Sequence, residues 1–449
     1  MDAGKGCTRA ANECIRKNAP IKLPSTIPAF LMNHLDERIV ITGIGMITSI
    51  GHTREEVWRA VRQGTSGVRR LSGLPGIPDG LLIGAPVDIE PEYRGGLKVT
   101  ALCQRAAAEA IDDSGLDLGT LDLSRFACAV SGHVGDLDGI VERTRRPELM
   151  GQDKPDWFEQ WLPNTACSKV ATRFGLRGPR LCHSTACASG LIDFLAAVRS
   201  IRDSQCDFAL AGSGEAINPL FAAGFYQMKV LADHVEDPRL ACRPFDVDRC
   251  GFVMGEGAAM FVIERLSHAL DRGAEIYAEV MGGRVLADAH HVTGLDTDSE
   301  ALSFLISDTL RRAKLVPRDV PYINAHGTGT TQNDVMEARA IRRAFDGAAN
   351  HVWVSSCKSM FGHLINAAGS VELAITALAL RDGFAPPTLN LRTPDPECDL
   401  DCLPMVGRAG AFEHALKVSV AFGGHLAAVM LRRWETTSQL EFELPAQAA

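Results

Sequence analysis

The feature that most restricts how this chain can fold is that it runs through one order of strands and helix twice. In the first half the short apolar, β-rich runs are IVITGIG from Ile39, FACAVSG, RLCHST, DFALAGSGEA and AAMFVIERL, with the helical run LIDFLAAVRSIRD between the third and fourth. In the second half they are YAEVMGG, YINAHG, VWVSSC, LKVSVAFGG and LAAVMLRRW, with INAAGSVELAITALALRDG in the corresponding helical place. Near-continuous apolar strands alternating with helices describe a parallel or mixed sheet covered on both faces. Two such halves are expected to pack face to face, with helices sandwiched between their sheets. The boundaries read as 38–270 and 271–435. Residues 1–37 mix charges, small residues and prolines without a sustained period and read as an extension outside the core. Met32 stands just ahead of the first strand, so a start site placed too far upstream is an alternative to a genuine extension. Residues 436–449 read as a polar tail.

Composition removes several function classes. A chain of 449 residues with 46% hydrophobic and 22% charged content is ordinary globular material with room for two cores. Its formal charge of −9, with no strongly basic stripe, argues against nucleic acid and against a membrane surface. No run reaches the apolar length of a membrane span. The 13 cysteines are odd in number and follow no secretory segment, which fits a reduced, cytoplasmic setting. Cys398 and Cys402 lack the second close ligand pair of a zinc site, so no metal is expected.

In layered α/β sheets, ligands bind beyond the strand ends, where loops turn into helices. Four segments stand there. CHSTACASG runs from a strand into an amphipathic helix and places Cys187 at the helix start, where unpaired amides and the helix dipole favour a thiolate. A buried structural cysteine is the competing reading, and this segment alone does not choose between them. INAHGTGTTQND puts His326 at a strand end, followed by glycines and threonines that let a ligand approach the backbone. SSCKSMFGHLINAAG puts Lys358 and His363 between a strand and a helix in the equivalent place of the second half. VAFGGHLAAV sets Phe422 before two glycines between strands. Alone, each of these side chains has an ordinary reading as core or surface. TGIGMITSIG after the first strand suggests a nucleotide-binding turn, but Thr48 occupies the third glycine position, where helix and strand must approach closely.

Cys187, His326, Lys358, His363 and Phe422 occur in the order and spacing of one known family. Over Ile39 to Trp434 the chain resembles the elongating beta-ketoacyl-[acyl carrier protein] synthases. RPFDVDRCGFVMGEGA, RFGLRGP and DAHHVT are further points of likeness. The resemblance implies a thiolase-like α/β fold of two βαβαβαββ halves in α-β-α-β-α layers, a homodimer, and decarboxylative Claisen condensation. It also implies substrates carried on the phosphopantetheine of an acyl carrier protein, with no bound cofactor.

In this likeness Cys187 takes the acyl group, and His326 and His363 hydrogen-bond the enolate oxygen formed when malonyl thioester loses carbon dioxide. Backbone amides of Cys187 and Phe422 form the oxyanion hole, and Phe422 is also the gate. Lys358 orients the histidines and is expected to pair with Glu337. Thr293, Thr328 and Thr330 match positions that touch the pantetheine arm, and His133 matches one that lines the neighbouring subunit's acyl pocket. Arg62, Arg69 and Arg70, with Arg143, Arg145 and Arg146, are candidates for docking an acidic carrier. A degradative thiolase would carry a second catalytic cysteine near the carboxyl end, and a chain-initiating synthase asparagine in place of His363; neither is found. The alternative, a non-catalytic chain-length partner of a ketosynthase heterodimer, would have lost the nucleophile, whereas Cys187 is present. Val418 to Ala421, Leu426 and Cys250 depart from the family's usual residues and leave the acyl chain and the pathway open.

Overall fold

The computed structural model describes residues 38–435 apart from 92–95, 133–134, 136, 147, 149–159 and 233–234. Ten strands form the frame: β1 Ile39–Thr48, β2 Phe126–Gly132, β3 Arg180–Leu181, β4 Phe208–Glu215, β5 Gly257–Arg265, β6 Ala278–Ala287, β7 Tyr322–Asn324, β8 Trp353–Ser355, β9 His414–Ala421 and β10 His425–Arg433. The first five lie in the order β3-β2-β4-β5-β1 and the second five in the order β8-β7-β9-β10-β6, so the spatial order 3-2-4-5-1 occurs twice. Directions repeat as well. β2 is parallel to β3 and β4, and β5 is antiparallel to β4 and β1. β7 is parallel to β8 and β9, and β10 is antiparallel to β9 and β6. The two sheets are joined edge to edge by a short antiparallel pairing in which Ile39, Val40 and Ile41 face Val280, Glu279 and Ala278.

Helices α1 Lys98–Ser114 and α2 Thr165–Phe174 cover the outer face of the first sheet. α4 Glu300–Arg312 and α5 Thr331–Phe345 cover that of the second. Between the sheets lie α3 Ser189–Arg202 and α6 Ala368–Asp382, and one core cluster takes in both helices and the inner faces of both sheets. Every residue of α6 from Ala368 to Leu380 is buried, as its almost unbroken apolar sequence requires of a helix with no water-facing side. This is the expected arrangement of helices between sheets. The glycines of TGIG also find their purpose here. A Cβ on Gly45 would stand 1.9 Å from the carbonyl oxygen of Ala106, so the glycine lets α1 lie directly on β1 rather than cradle a phosphate. Among the described residues no helix is long and apolar enough to cross a membrane.

Candidate active site

Because the halves repeat, each delivers a strand-to-helix turn to the same place. In the first half a short 3-10 turn, Ala186–Ala188, leads into α3. In the second, Ile365–Ala367 leads into α6 in the same way. The residue that opens each turn is left-handed, Ala186 at φ 46° and Ile365 at φ 37°. Non-glycine residues adopt this conformation at a cost of about 1–3 kcal/mol and do so mainly where a site over-determines it. The twist presents Cys187, the middle residue of its turn, at the junction of the halves. Asn366 is its counterpart, and its side-chain amide donates to the Ser131 carbonyl (3.1 Å) and hydroxyl (3.2 Å) and the Gly214 carbonyl (3.2 Å), pinning the second turn to the first sheet.

His363 lies just before that second turn. Its N–H donates to the Val253 carbonyl (2.6 Å) and its carbonyl accepts from Gly255 (3.0 Å), so the segment GFVMGEG holds its backbone. Its Nε2 stands 3.1 Å from Cys187 Sγ. The His326 ring lies 5.2 Å from that of His363, centroid to centroid, at 83°. His326 follows β7 in a loop stapled to α5: Glu337 accepts the amides of His326 (2.6 Å) and Gly327 (2.7 Å), and Asp334 those of Thr328 (3.0 Å) and Gly329 (3.1 Å). Cys187, His326 and His363 all line one cavity of about 510 Å³, together with Thr293, Thr328, Thr330 and Phe422. The Phe422 ring is half-buried and packs 6.3 Å from that of Phe225. The next two residues are glycines, and a Cβ on Gly424 would stand 2.1 Å from Asp288 Oδ1, so the turn after the ring accepts no side chain.

Below the histidines lies a buried set of charges. Lys358 Nζ donates to Glu372 Oε1 (2.5 Å) and to the His326 carbonyl, and Lys417 Nζ stands 2.5 Å from Glu372 Oε2. All three side chains are at most 1% exposed. Burial, reinforced by the positive charge of Lys358 and Lys417, holds both histidines well below the usual imidazole range, so they are neutral. Burial pushes the Cys187 thiol up to about 12, against the pull of Lys358. The expectation of a lowered thiol pKa rested on the helix start alone; desolvation is the larger effect. His363 Nε2, 3.1 Å from the sulfur, is within reach of the thiol proton.

Cys187, His326 and His363 bring ligating atoms within 4.8 Å of one another, a spacing that would admit a metal ion. The surroundings do not suit one. A metal-binding histidine normally donates its other ring nitrogen to a carboxylate or carbonyl, whereas both Nδ1 atoms are buried without a partner. Lys358 and Lys417 would moreover oppose a dication.

Family models for the beta-ketoacyl synthase N-terminal and C-terminal domains match residues 98–269 and 277–392. The chain belongs to the beta-ketoacyl synthase family. It is 36% identical to 3-oxoacyl-[acyl-carrier-protein] synthase 2 of Coxiella burnetii over 88% of this chain and 98% of that one. It is 37% identical to the tetracenomycin polyketide synthase ketoacyl synthase alpha subunit of Streptomyces glaucescens, over 91% and 100%. Among solved structures, a beta-ketoacyl synthase from Burkholderia phymatum superposes with a TM-score of 0.82 at 30% identity, over 89% of this chain and 100% of that one. A ketosynthase described as bound to a hexaketide, in complex with its type II polyketide acyl-carrier protein, does so with a TM-score of 0.82 at 32% identity, over 89% and 99%. The fold is therefore the thiolase-like one, and the synthase is an acyltransferase of the condensing type.

The structure of this synthase brings Cys187, His326, His363, Lys358, Phe422 and all three threonines to one place. Besides the Cys187 thiol, one expected pairing is corrected. The partner of Lys358 is Glu372, while Glu337 is occupied by the loop amides ahead of α5. His133 lies outside the described residues. Sequence reading passed over Glu372, Lys417 and Asn366. The first two carried a signal, since a lone carboxylate in an apolar helix and a lone lysine in an apolar strand both need buried partners. Asn366 was accessible through the repeat, as the counterpart of Cys187.

Proposed function

We propose that this ketosynthase extends an acyl chain by decarboxylative Claisen condensation with a malonyl thioester, both carried on the phosphopantetheine of an acyl carrier protein. The observation that carries the reading is the 3.1 Å contact between Cys187 Sγ and His363 Nε2, inside a cavity that also holds His326. In the first stage Cys187 Sγ attacks the acyl carbonyl. Its proton passes through His363 Nε2 to the departing pantetheine thiolate, and the acyl group rests on sulfur. In the second, malonyl thioester loses carbon dioxide, and the electron pair of the broken C–C bond becomes an enolate whose oxygen accepts hydrogen bonds from Nε2–H of His326 and, once the His363 ring has exchanged its proton from Nδ1 to Nε2, from Nε2–H of His363. The enolate carbon then attacks the acyl-cysteine carbonyl. The C–S bond breaks, and Cys187 takes up one proton from solvent. Neutral imidazoles suit both stages, because the first needs an acceptor and the second needs donors aimed at developing charge.

The backbone amides of Cys187 and Phe422 serve as the oxyanion hole, with Phe422 as the gate. Thr293, Thr328 and Thr330 line the route of the pantetheine arm. The chemistry requires no cofactor beyond that arm. A homodimer is the assembly we propose, and the structural neighbour in complex with an acyl-carrier protein supports such a partner. The test is intact-mass analysis of Cys187 after incubation with acyl carriers of different chain length, followed by product detection with malonyl carrier. Wild type gains the acyl mass and makes β-ketoacyl product. Cys187→Ala, a small change in volume at a nearly buried site, keeps the fold and makes none. Product formation by the variant at the wild-type rate would overturn the mechanism.

A further inference from the structure

We propose, building on that reading, that Lys417 is a second positioning cation of the condensation site, clamping the end of β7 just ahead of His326 and sharing Glu372 with Lys358. Lys417 stands in the middle of β9 and is fully buried. Its Nζ donates to the Ala325 carbonyl at 3.0 Å and reaches that of Asn324 at 3.4 Å, the two residues that lead into His326. Lys358 holds the carbonyl of His326 itself. Two ammonium groups bridged by one carboxylate thus fix three successive carbonyls at the root of a catalytic side chain. A buried lysine is costly unless its donors are used and its charge is matched, and this one is matched by the same carboxylate that serves Lys358.

The charged and titratable groups around Lys417 are Glu372 on α6, Lys358 and Cys357 after β8, Glu337 on α5, and His326 and His363. Removing its charge leaves the histidines beside one cation instead of two. Protonation of the imidazoles is then opposed less strongly and begins at higher pH, and an imidazolium cannot accept the Cys187 proton.

The experiment compares wild type, Lys417→Met and Lys417→Gln by active-site titration through Cys187 acylation, by carbon dioxide release from malonyl carrier, and by the pH profile of condensation. Per titrated site, carbon dioxide release is expected to fall at least tenfold in Lys417→Met. It should fall less in Lys417→Gln, whose side chain, one bond shorter, retains a neutral N–H donor on the carbonyl side, with KM for malonyl carrier unchanged in both. The acid limb of condensation should move to higher pH in both. Should Lys417→Met fail to fold, Lys417→Gln, polar and with a donor retained, carries the same test. Profiles and rates that match wild type once scaled by titrated sites would overturn the proposal and leave Lys417 a structural residue. Absence of carbon dioxide release from wild type would instead overturn the condensing reading itself.

Discussion

Replacing Glu372 by glutamine removes the one carboxylate that bridges two buried ammonium groups. It leaves volume, and one acceptor, nearly unchanged. Both ion pairs measure 2.5 Å, and the side chains are at most 1% exposed, so solvent screens neither. Breaking a buried pair by removing one partner costs about 3–5 kcal/mol, and we expect Glu372→Gln to lose stability in that range at neutral pH. The variant has one route of relief. Burial already lowers Lys417 to about 8, from an ordinary lysine value of ~10.4, and losing the carboxylate lowers it further. A lysine with a depressed folded pKa binds fewer protons folded than unfolded, so stability rises with pH between the two values. In wild type this rise begins near pH 8; in Glu372→Gln it begins lower. The stability difference between the proteins should therefore be largest near pH 6 and narrow toward pH 10. Urea titrations followed by tryptophan fluorescence at several pH values measure it directly. A difference under ~1 kcal/mol at pH 7, or one that grows with pH, would refute the charge assignment.

His326→Ala and His363→Ala each remove one donor to the enolate, and we expect carbon dioxide release from malonyl carrier to slow by about 10²–10³-fold in each. Acylation of Cys187, read by intact mass, should slow more in His363→Ala, since only His363 Nε2 lies 3.1 Å from the sulfur; equal acylation rates in the two variants would contradict proton transfer to His363. Ala186→Val adds β-branched crowding at φ 46°, beyond the left-handed cost that alanine already bears, and we expect it to cost on the order of 1 kcal/mol more and to slow acylation by displacing Cys187, while Ala186→Gly, which adopts that φ freely, acylates near the wild-type rate.

Much of this synthase is legible in its sequence because it depends on local order. The alternation of apolar strands and helices, run through twice, is a property of neighbouring residues, and it dictates two sheets with helices between them. The turns that present Cys187, His326 and His363 lie at strand ends for the same reason, and their order along the chain carries the family resemblance. What the sequence could not decide was which buried charges meet and which effect governs the nucleophile. Glu337, Glu372 and Lys417 sit on α5, α6 and β9, and nothing local distinguishes Glu337 from Glu372 as the partner of Lys358. The loop amides of His326 and Gly327 occupy the first, and the burial of α6 between the sheets brings the second to both lysines. The helix start at Cys187 was likewise a local argument for a thiolate. Only packing the halves together withdraws the sulfur from water, so that desolvation outweighs the local field, and brings His363, from the other half of the chain, within 3.1 Å of it.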